Sequence, residues 1–371
     1  MFLSSINLKN IRKHTDSRID FTDSINYIIG GNGVGKTSVL EAIYYLSTTK
    51  SCVTSSDAEV VKLGEKNFNI EGKIEGLTSD NVRVNYSIVE NKKTYILNTK
   101  QIAKFSNVIG KFPVVLLSPA DHTITQGYPA DRRRFVDSVI SQASRTYLNI
   151  VIEYNRILKQ RATLLSRMRE NGTRKNTELD AWNEKLVNSG IEIIKHRDQF
   201  VKEFSIYVRE SYKRILSEKE IPGMEYFFLD GCNVTDLEKT FTDELNKKSE
   251  EEFRRGINLV GPHKDDLIFN VNGINLKKYG SQGQHKTFQT MLRFAEYFYL
   301  KDKKENTPLF LLDDVFGELD SERAYAISDS LAEVGQAIIT LTDFGNISHL
   351  KIGKKDRVIR LSSETEISYA Q

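Results

Sequence analysis

The sequence predicts an α/β fold that carries an inserted arm of long helices, and three stretches of the chain support this prediction. Residues 27–43 read as a short apolar strand, a glycine-rich loop and the start of a helix. Residues 130–215 contain no proline and show helical periodicity throughout. Residues 309–312 form an apolar run that ends in two carboxylates, Asp313 and Asp314. A sheet-based head interrupted by helices accounts for all three.

Length and composition limit the class of protein. The chain has 371 residues, of which 39% are hydrophobic and 28% charged, so we expect about two domains. No apolar run approaches the ~20 residues of a membrane helix, and the N-terminus lacks the features of a signal peptide. We therefore expect a cytoplasmic protein with no membrane partner. Cys52 and Cys232 lie far apart in the sequence, which favours ordinary thiols over a disulfide framework or a zinc site.

The order of elements divides the chain into three parts. Alternating patterns before residue 98 predict a small sheet and an antiparallel meander, and the apolar run at 112–117 predicts a central strand. Two long antiparallel helices follow, the first ending near Gly172. Asn272 and Gly273 then predict a hairpin. The predicted domains are an N-terminal head part (1–125), an inserted coiled-coil-like helical domain (126–250) and a C-terminal head part (251–371).

The glycine-rich loop fits the pattern G-x-x-x-x-G-K-[ST] between a strand and a helix, the context that a P-loop requires. Such loops bind phosphates through backbone N–H groups, with Lys36 on the β- and γ-phosphates and the Thr37 hydroxyl on Mg2+. A glycine turn without a ligand is the alternative, but the flanking strand and helix favour nucleotide binding. The predicted nucleotide-binding residues of this loop are Gly30, Gly31, Asn32, Gly33, Val34, Gly35, Lys36, Thr37 and Ser38.

The two carboxylates after the apolar run complete this prediction. A P-loop needs an acid at the end of a neighbouring strand to hold Mg2+, and Asp313 is the candidate. Asp314 is the candidate catalytic residue, placed to polarise the attacking water. A pair of ordinary loop acids is the alternative interpretation.

A third piece is the tetrapeptide Ser281, Gln282, Gly283 and Gln284, which precedes a predicted helix. Its N–H groups and the Ser281 hydroxyl could bind a phosphate at the helix end. Alone the tetrapeptide is weak, because serine and glycine commonly cap helices. Its place one helix before Asp313 matches the order of motifs in ABC-type ATPases.

With these motifs the chain resembles the RecF family of bacterial DNA-repair proteins, ABC-type ATPases related to structural-maintenance-of-chromosomes heads. The matching residues span most of the chain: 8–12, 30–38, 117–121, Gly127, Pro129, 132–137, 159–161, 260–266, 279–284 and 311–320. The resemblance implies an ATP-dependent homodimer in which Ser281 faces the γ-phosphate on the partner's P-loop. It also implies a D-loop containing Asp320 and contacts of Asn10 and Arg12 with the nucleotide.

The resemblance further implies binding of duplex DNA and of junctions between double- and single-stranded DNA, with RecO and RecR as partners. Two departures from the family pattern stand out. Thr342 and Asp343 occupy the place of the switch histidine of transporters, which leaves hydrolysis slow, and Cys52 and Val53 lie where the family often has arginine. Basic clusters supply the DNA candidates, although charge on long helices is usually a solvated face. These candidates are Arg132, Arg133, Arg134, Lys159 and Arg161.

Three other functions compete with this interpretation. The nucleotide-binding subunit of an ABC transporter is one, but the long insertion between P-loop and Ser281 and the missing histidine argue against it. A scaffold that binds ATP without hydrolysing it is another. A DNA organiser with long coiled coils is excluded, because the inserted helices are too short to form such coiled coils.

Overall fold

A computed structural model describes residues 1–173, 176–216, 220–231, 236–316, 321–342, 352–362 and 367–370. The chain divides into two compact units. The first contains Met1–Asp121, Glu210–Lys219 and Thr290–Gln371, and the second contains His122–Arg209 and Glu220–Gln289. The sequence-based limits at residues 125 and 250 stay a prediction. Among the described helices, none has the length and apolar character needed to cross a bilayer.

Strands and helices follow one another along the chain with these bounds. The strands are β1 (Phe2–Ile11), β2 (His14–Asp20), β3 (Ile25–Ile29), β4 (Asn67–Glu75), β5 (Ser79–Ser87), β6 (Lys92–Leu97), β7 (Lys100–Gln101), β8 (Val114–Leu117), β9 (Pro222–Phe227), β10 (Asp266–Val271), β11 (Ile274–Asn275), β12 (Leu309–Asp313), β13 (Ala337–Leu341), β14 (Arg357–Leu361) and β15 (Ile367–Ala370). The helices are α1 (Lys36–Thr48), α2 (His122–Gln126), α3 (Pro129–Ala143), α4 (Arg145–Asn171), α5 (Thr177–Leu216), α6 (Leu237–Arg255), α7 (Leu276–Tyr279), α8 (Gln282–Lys303) and α9 (Ser321–Leu331).

The first unit contains two six-stranded sheets with α1 packed against both. One sheet is antiparallel, with strand order β2-β1-β4-β5-β6-β7, and confirms the predicted meander. The other runs β15-β14-β3-β13-β12-β8 and is parallel except for β15. Helix α1 packs closely on the antiparallel sheet at Gly72 of β4. A Cβ at this glycine would overlap Cδ1 of Leu46 in α1.

The strand predicted to be central lies elsewhere. Strand β8 is at the edge of the parallel sheet and pairs with β12. All four of its residues are nevertheless buried, because α1 packs against the strand. A continuous apolar run in a strand indicates that both faces of the strand are buried. Such burial does not require a hydrogen-bonded strand on both sides.

Helices dominate the second unit, as the periodicity predicts. Helix α4 begins after Ser144, whose side chain accepts a hydrogen bond from the Tyr147 N–H, and ends at Gly172 with φ 67°. Helix α5 runs for 40 residues. A three-stranded antiparallel sheet, β11-β10-β9, completes the unit. Its hairpin turns at Asn272 and Gly273 with φ 52° and 76°, which confirms the predicted turn.

A buried ion pair joins α4 to α6 in this unit. Arg161 and Glu252 have side chains only 2% and 1% exposed, and their atoms Nη2 and Oε2 lie 2.5 Å apart. Arg161 also donates to the side-chain oxygens of Asn183 and Asn258, each at 2.7 Å. Glu252 in turn accepts the Leu259 N–H at 2.7 Å. These hydrogen bonds around the pair offset the cost of burying both charges.

We predict that Arg161→Met lowers the free energy of unfolding of this unit by about 3–5 kcal/mol, because Glu252 is left buried and uncompensated. Arg161→Met combined with Glu252→Gln removes that charge and should recover much of the loss. Lys159→Ala, an exposed change on the same helix, should shift stability by about 0.5 kcal/mol or less. Urea unfolding followed by circular dichroism measures all three. Equal midpoints for Arg161→Met and Lys159→Ala would contradict a structural role for the buried pair.

Candidate nucleotide site

The glycine loop of the first unit has P-loop geometry. It joins the end of β3 to the start of α1, and Gly33 and Gly35 adopt φ of 77° and 105°, where glycine is favoured. Neighbouring atoms leave no space for side chains at two positions. A Cβ on Gly30 would overlap the Leu361 carbonyl oxygen, and one on Gly35 would lie 2.7 Å from Nε2 of His14. The glycines are therefore required by backbone conformation and by close packing.

Lys36 lies in the first turn of α1 and bends back over the loop. Its Nζ donates to the carbonyl oxygens of Gly30 and Gly31 at 2.7 and 2.9 Å. Burial lowers the pKa of Lys36, and Asp314 and Asp313 act in the opposite direction. The ammonium group is thus held against the loop. A bound phosphate has to replace the two carbonyl oxygens as its hydrogen-bond acceptor.

Thr37 and Asp313 meet at the edge of the parallel sheet. The Thr37 hydroxyl donates to Oδ1 of Asp313 at 3.0 Å, and the Thr340 hydroxyl donates to the same oxygen at 2.8 Å. A hydroxyl and a carboxylate form the oxygen donor set that Mg2+ prefers, so the residues fit this ion. Thr37 and Asp313 would hold it, and the ion would neutralise charge on the phosphates. Thr340, at the end of β13, was not predicted from the sequence.

Asp314 follows β12 in a strained backbone conformation. Its φ is 50°, which costs a residue with a side chain about 1 kcal/mol or more. Its N–H donates to Oγ1 of Thr340 at 3.0 Å, which fixes the turn beside Asp313. Strain of this kind is found where function fixes a side chain's direction.

Asn10 lies in β1 and Arg12 follows that strand, and both have positive φ, of 56° and 50°. Arg12 forms a two-pronged ion pair with Glu41 of α1, both distances 2.8 Å, and this bond raises the pKa of Arg12. Asn10 Nδ2 donates to Glu65 at 3.3 Å. Their predicted contact with nucleotide therefore requires Arg12 to share or leave Glu41, a residue that the sequence analysis did not single out.

His14 is a further residue that the sequence analysis missed. It is fully buried, and its Nε2 lies 3.1 Å from the Gly35 carbonyl oxygen, which can only accept, so Nε2 carries the proton. Nδ1 then accepts from the Ser17 hydroxyl at 3.0 Å. Burial lowers the pKa of His14, with Lys62 acting in the same direction. No local motif marks this residue, because its role depends on the loop that folds against it.

The second unit contains the predicted signature turn. Ser281 is exposed and caps α8: its Oγ accepts the Gln284 N–H at 3.2 Å, and Oε1 of Gln284 accepts the Ser281 N–H at 3.0 Å. This is a reciprocal capping box. Capping uses the Ser281 oxygen as an acceptor, and the hydroxyl proton can still be donated. The first-turn N–H groups of Gln282 and Gly283 point out of the helix end.

Several predicted residues lie outside the described part of the chain. They are Asp320 of the D-loop, Asp343 and Cys232. Cys52 is described, and burial raises the pKa of its thiol to about 12. It is thus a neutral thiol.

The structure corrects part of the set of DNA candidates. Arg132 is only 4% exposed, and its Nε and Nη2 bind the Asp266 carboxylate at 2.8 and 2.9 Å. Arg161 is bound to Glu252 in the interior, as described above. Arg133 donates to the Asp265 carbonyl oxygen at 2.5 Å and is half-buried. Arg132 and Arg161 are therefore structural cations, whereas Arg134 and Lys159 are exposed.

We predict that His14→Ala weakens nucleotide binding about 5- to 10-fold, because the Gly35 carbonyl loses one hydrogen bond of about 1 kcal/mol. His14→Gln keeps a donor and should bind within about 2-fold of the original chain. Isothermal titration with an ATP analogue measures both variants.

The lowered pKa of His14 adds a dependence on pH. Its contribution to stability is fully present above the ordinary histidine pKa of about 6.5 and is lost as pH falls toward the depressed folded value. His14→Gln should therefore lose less stability than the original chain between pH 7.5 and pH 5.5. Equal losses for both, together with unchanged affinity in His14→Ala, would contradict the role assigned to His14.

Comparison with known proteins places this geometry in a family. The family model of the RecF/RecN/SMC N-terminal domain matches residues 2–365. The DNA replication and repair protein RecF of Chloroherpeton thalassium (strain ATCC 35110 / GB-78) is 39% identical over 365 residues, covering 95% of this chain and 99% of that protein. That of Salinibacter ruber (strain DSM 13855 / M31) is 37% identical over 353 residues, covering 93% and 86%.

Solved structures agree. The structure described as the recombination mediator protein RecF with ATP in the RecFOR pathway superposes with a TM-score of 0.90 at 26% identity, covering 100% of this chain and 98% of that chain. An Smc head bound to the C-terminal winged-helix domain of ScpA gives 0.59 at 12% identity, which shows a shared fold. The predicted ABC-type ATPase head with a helical arm is thereby confirmed. The chain belongs to the RecF family of DNA replication and repair proteins.

Proposed function

We propose that this protein is an ATP-dependent DNA-binding ATPase of recombinational repair and replication restart. Its relatives are named DNA replication and repair proteins, and a similar solved structure contains ATP. The observation that carries the proposal is the hydrogen bond from Thr37 of the P-loop to Asp313 at the end of β12. It joins a phosphate-binding loop to a metal-binding carboxylate.

In the proposed reaction the loop N–H groups and Lys36 bind the β- and γ-phosphates, and Thr37 and Asp313 would hold Mg2+. Asp314, fixed beside them by its bond to Thr340, orients water for attack on the γ-phosphorus and accepts its proton. The products are ADP and inorganic phosphate. Because threonine and aspartate stand in place of the switch histidine, we propose that hydrolysis is weak. Stimulation of hydrolysis by DNA is proposed from the DNA-binding function.

The Ser281 turn supplies the other half of the site in this proposal. Its hydroxyl and the N–H groups at the start of α8 donate to a γ-phosphate held by a second copy of the chain. ATP binding then closes a homodimer around duplex DNA near single-strand gaps, and hydrolysis opens it. RecO and RecR are the proposed partners in loading recombinase. Family membership favours this function over a transporter subunit, which would copurify with a membrane permease.

We predict that Ser281→Arg abolishes ATP-dependent dimer formation, because the long cation blocks the approach of the partner's phosphate. ATP affinity of the monomer should change less than about 2-fold, since Ser281 lies outside the bound loop. Light scattering with and without an ATP analogue measures size, and duplex DNA affinity should fall with it.

Two variants separate this effect from a damaged helix. Ser281→Asp keeps the cap on α8 but places a carboxylate against phosphate, so it should also stay monomeric. Ser249→Arg makes the same chemical change at an exposed position of α6 and should dimerise normally. A dimer that forms regardless of ATP, or in Ser281→Arg, would refute the shared site.

We predict that Asp314→Asn lowers the rate of phosphate release by about 100-fold or more while ATP still binds, because the amide cannot accept the proton. Single-turnover phosphate release, with binding measured in parallel, tests this. Unchanged release from the variant would exclude Asp314 as the proton acceptor, whereas no release from the original chain would favour the scaffold that binds ATP without hydrolysing it.

A further inference from the structure

The second unit brings together cations that are far apart in the sequence. Nη1 of Arg169, in the last turn of α4, donates to the Arg255 carbonyl oxygen at 3.2 Å. A Cβ on Gly256 would lie 3.3 Å from the same Nη1 atom. The C-terminal ends of α4 and α6 are therefore in contact, and both arginines are exposed beside them.

The segment after α6 extends this region. Asn258 Nδ2 donates to the Leu158 carbonyl oxygen at 2.8 Å, which places the segment beside exposed Lys159 on α4. Farther along, Lys264 and Lys248 line one open groove of about 300 Å³ together with the Gly261 backbone. We call the surface formed by Lys159, Arg169, Lys248, Arg255 and Lys264 the cationic face.

Acidic groups only partly neutralise the cationic face. Glu251 is shared by Lys248 and Arg255, each at 3.2 Å. Lys248, followed by Arg255 and Arg254, lowers the pKa of Glu251. Burial lowers the pKa of His263 to about 4, and Lys264 contributes in the same direction. The cations of the face therefore act on Glu251, whereas at His263 Lys264 only adds to the effect of burial.

Other basic side chains, on α4 and α5, form solvated ion pairs. Arg156 lies 3.4 Å from Glu153, Lys195 lies 3.3 Å from Glu192, and Lys202 lies 2.7 Å from Asp198. Each of these cations has its own carboxylate partner on the same helix. On the cationic face, Lys248 and Arg255 share Glu251. The groove beside them also contains three carboxylates that are paired with cations outside the face: Glu244 with Lys247, Asp265 with Arg197 and Asp266 with Arg132.

We propose that the cationic face binds the phosphate backbone of duplex DNA, an inference that rests on the DNA-binding function proposed above. Four exposed cations and the partly exposed Lys248 fit a row of phosphates, and a contact of this kind reads no base sequence. In this proposal Lys159, Arg169, Lys248, Arg255 and Lys264 contact DNA, whereas the buried Arg132 and Arg161 do not.

The test neutralises four of these cations in the full chain: Lys159→Gln, Arg169→Gln, Arg255→Gln and Lys264→Gln. The matched control changes net charge equally elsewhere on the helices of the same unit: Arg156→Gln, Lys185→Gln, Lys195→Gln and Lys202→Gln. Affinity for a duplex of ~30 base pairs is measured with an ATP analogue at several salt concentrations. Dimer formation and thermal unfolding are measured on the same samples.

We expect the slope of log affinity against log salt to fall by roughly 4 in the face variant, about one for each phosphate that the variant can no longer bind. The control should keep the original slope within about 1. Both should dimerise with ATP and unfold at the original temperature. An unchanged slope in the face variant, or an equal fall in the control, overturns the assignment. An unchanged slope is also the result expected if the surface binds an acidic protein and not DNA.

Failure of the proposed function gives a different result. If the original chain does not bind duplex DNA in the presence of the ATP analogue, both the DNA function and the cationic face are rejected. If it binds and the face variant binds with the same slope, the face alone is rejected and the DNA function stands.

Discussion

The nucleotide site depends on one hydrogen-bonded junction, in which Thr37 and Thr340 donate to the same oxygen of Asp313. Strand β13 lies between β3 and β12 in the parallel sheet, and Asp313 pairs in register with Thr340. Because the carboxyl ends of parallel strands share one edge of the sheet, the loop after β3 and the acid at the end of β12 meet there. A shift of β12 by one residue would turn Asp313 to the other face of the sheet and separate the metal-binding acid from the loop.

The sequence predicted the features whose chemistry is local. Glycines at Gly33 and Gly35 are needed for positive φ, Gly172 ends a helix, and Asn272 with Gly273 makes a two-residue hairpin turn. Each of these signals depends on a few neighbouring residues, so it can be recognised without knowing the fold. The motif roles of Ser281 and Asp313 needed more than local chemistry, and there the order of motifs along the chain supplied the argument.

Features decided by distant contacts were missed or misread. Arg132 and Arg134 lie in one basic triplet, yet Arg132 is buried by its bond to Asp266 while Arg134 is exposed. Nothing within the triplet distinguishes them, because the deciding carboxylate is 134 residues away. His14 was missed for the same reason, since its partner is the Gly35 carbonyl. Strand β8 was predicted to be central because a buried strand at the edge of a sheet has the same continuous apolar sequence as a central strand.

Arg161 and the cationic face are structurally linked, and this affects how variants must be interpreted. Arg161 holds the Asn258 side chain from inside α4, and the other end of that side chain bonds the Leu158 carbonyl. The segment that carries Lys264 is thus fixed next to Lys159 by a cation that DNA cannot reach. Weaker DNA binding on replacing Arg161 would reflect a displaced surface and not the removal of a phosphate-binding group. Only an unchanged salt slope with lowered stability separates these causes, because the slope reports how many phosphates are bound and the stability reports the scaffold.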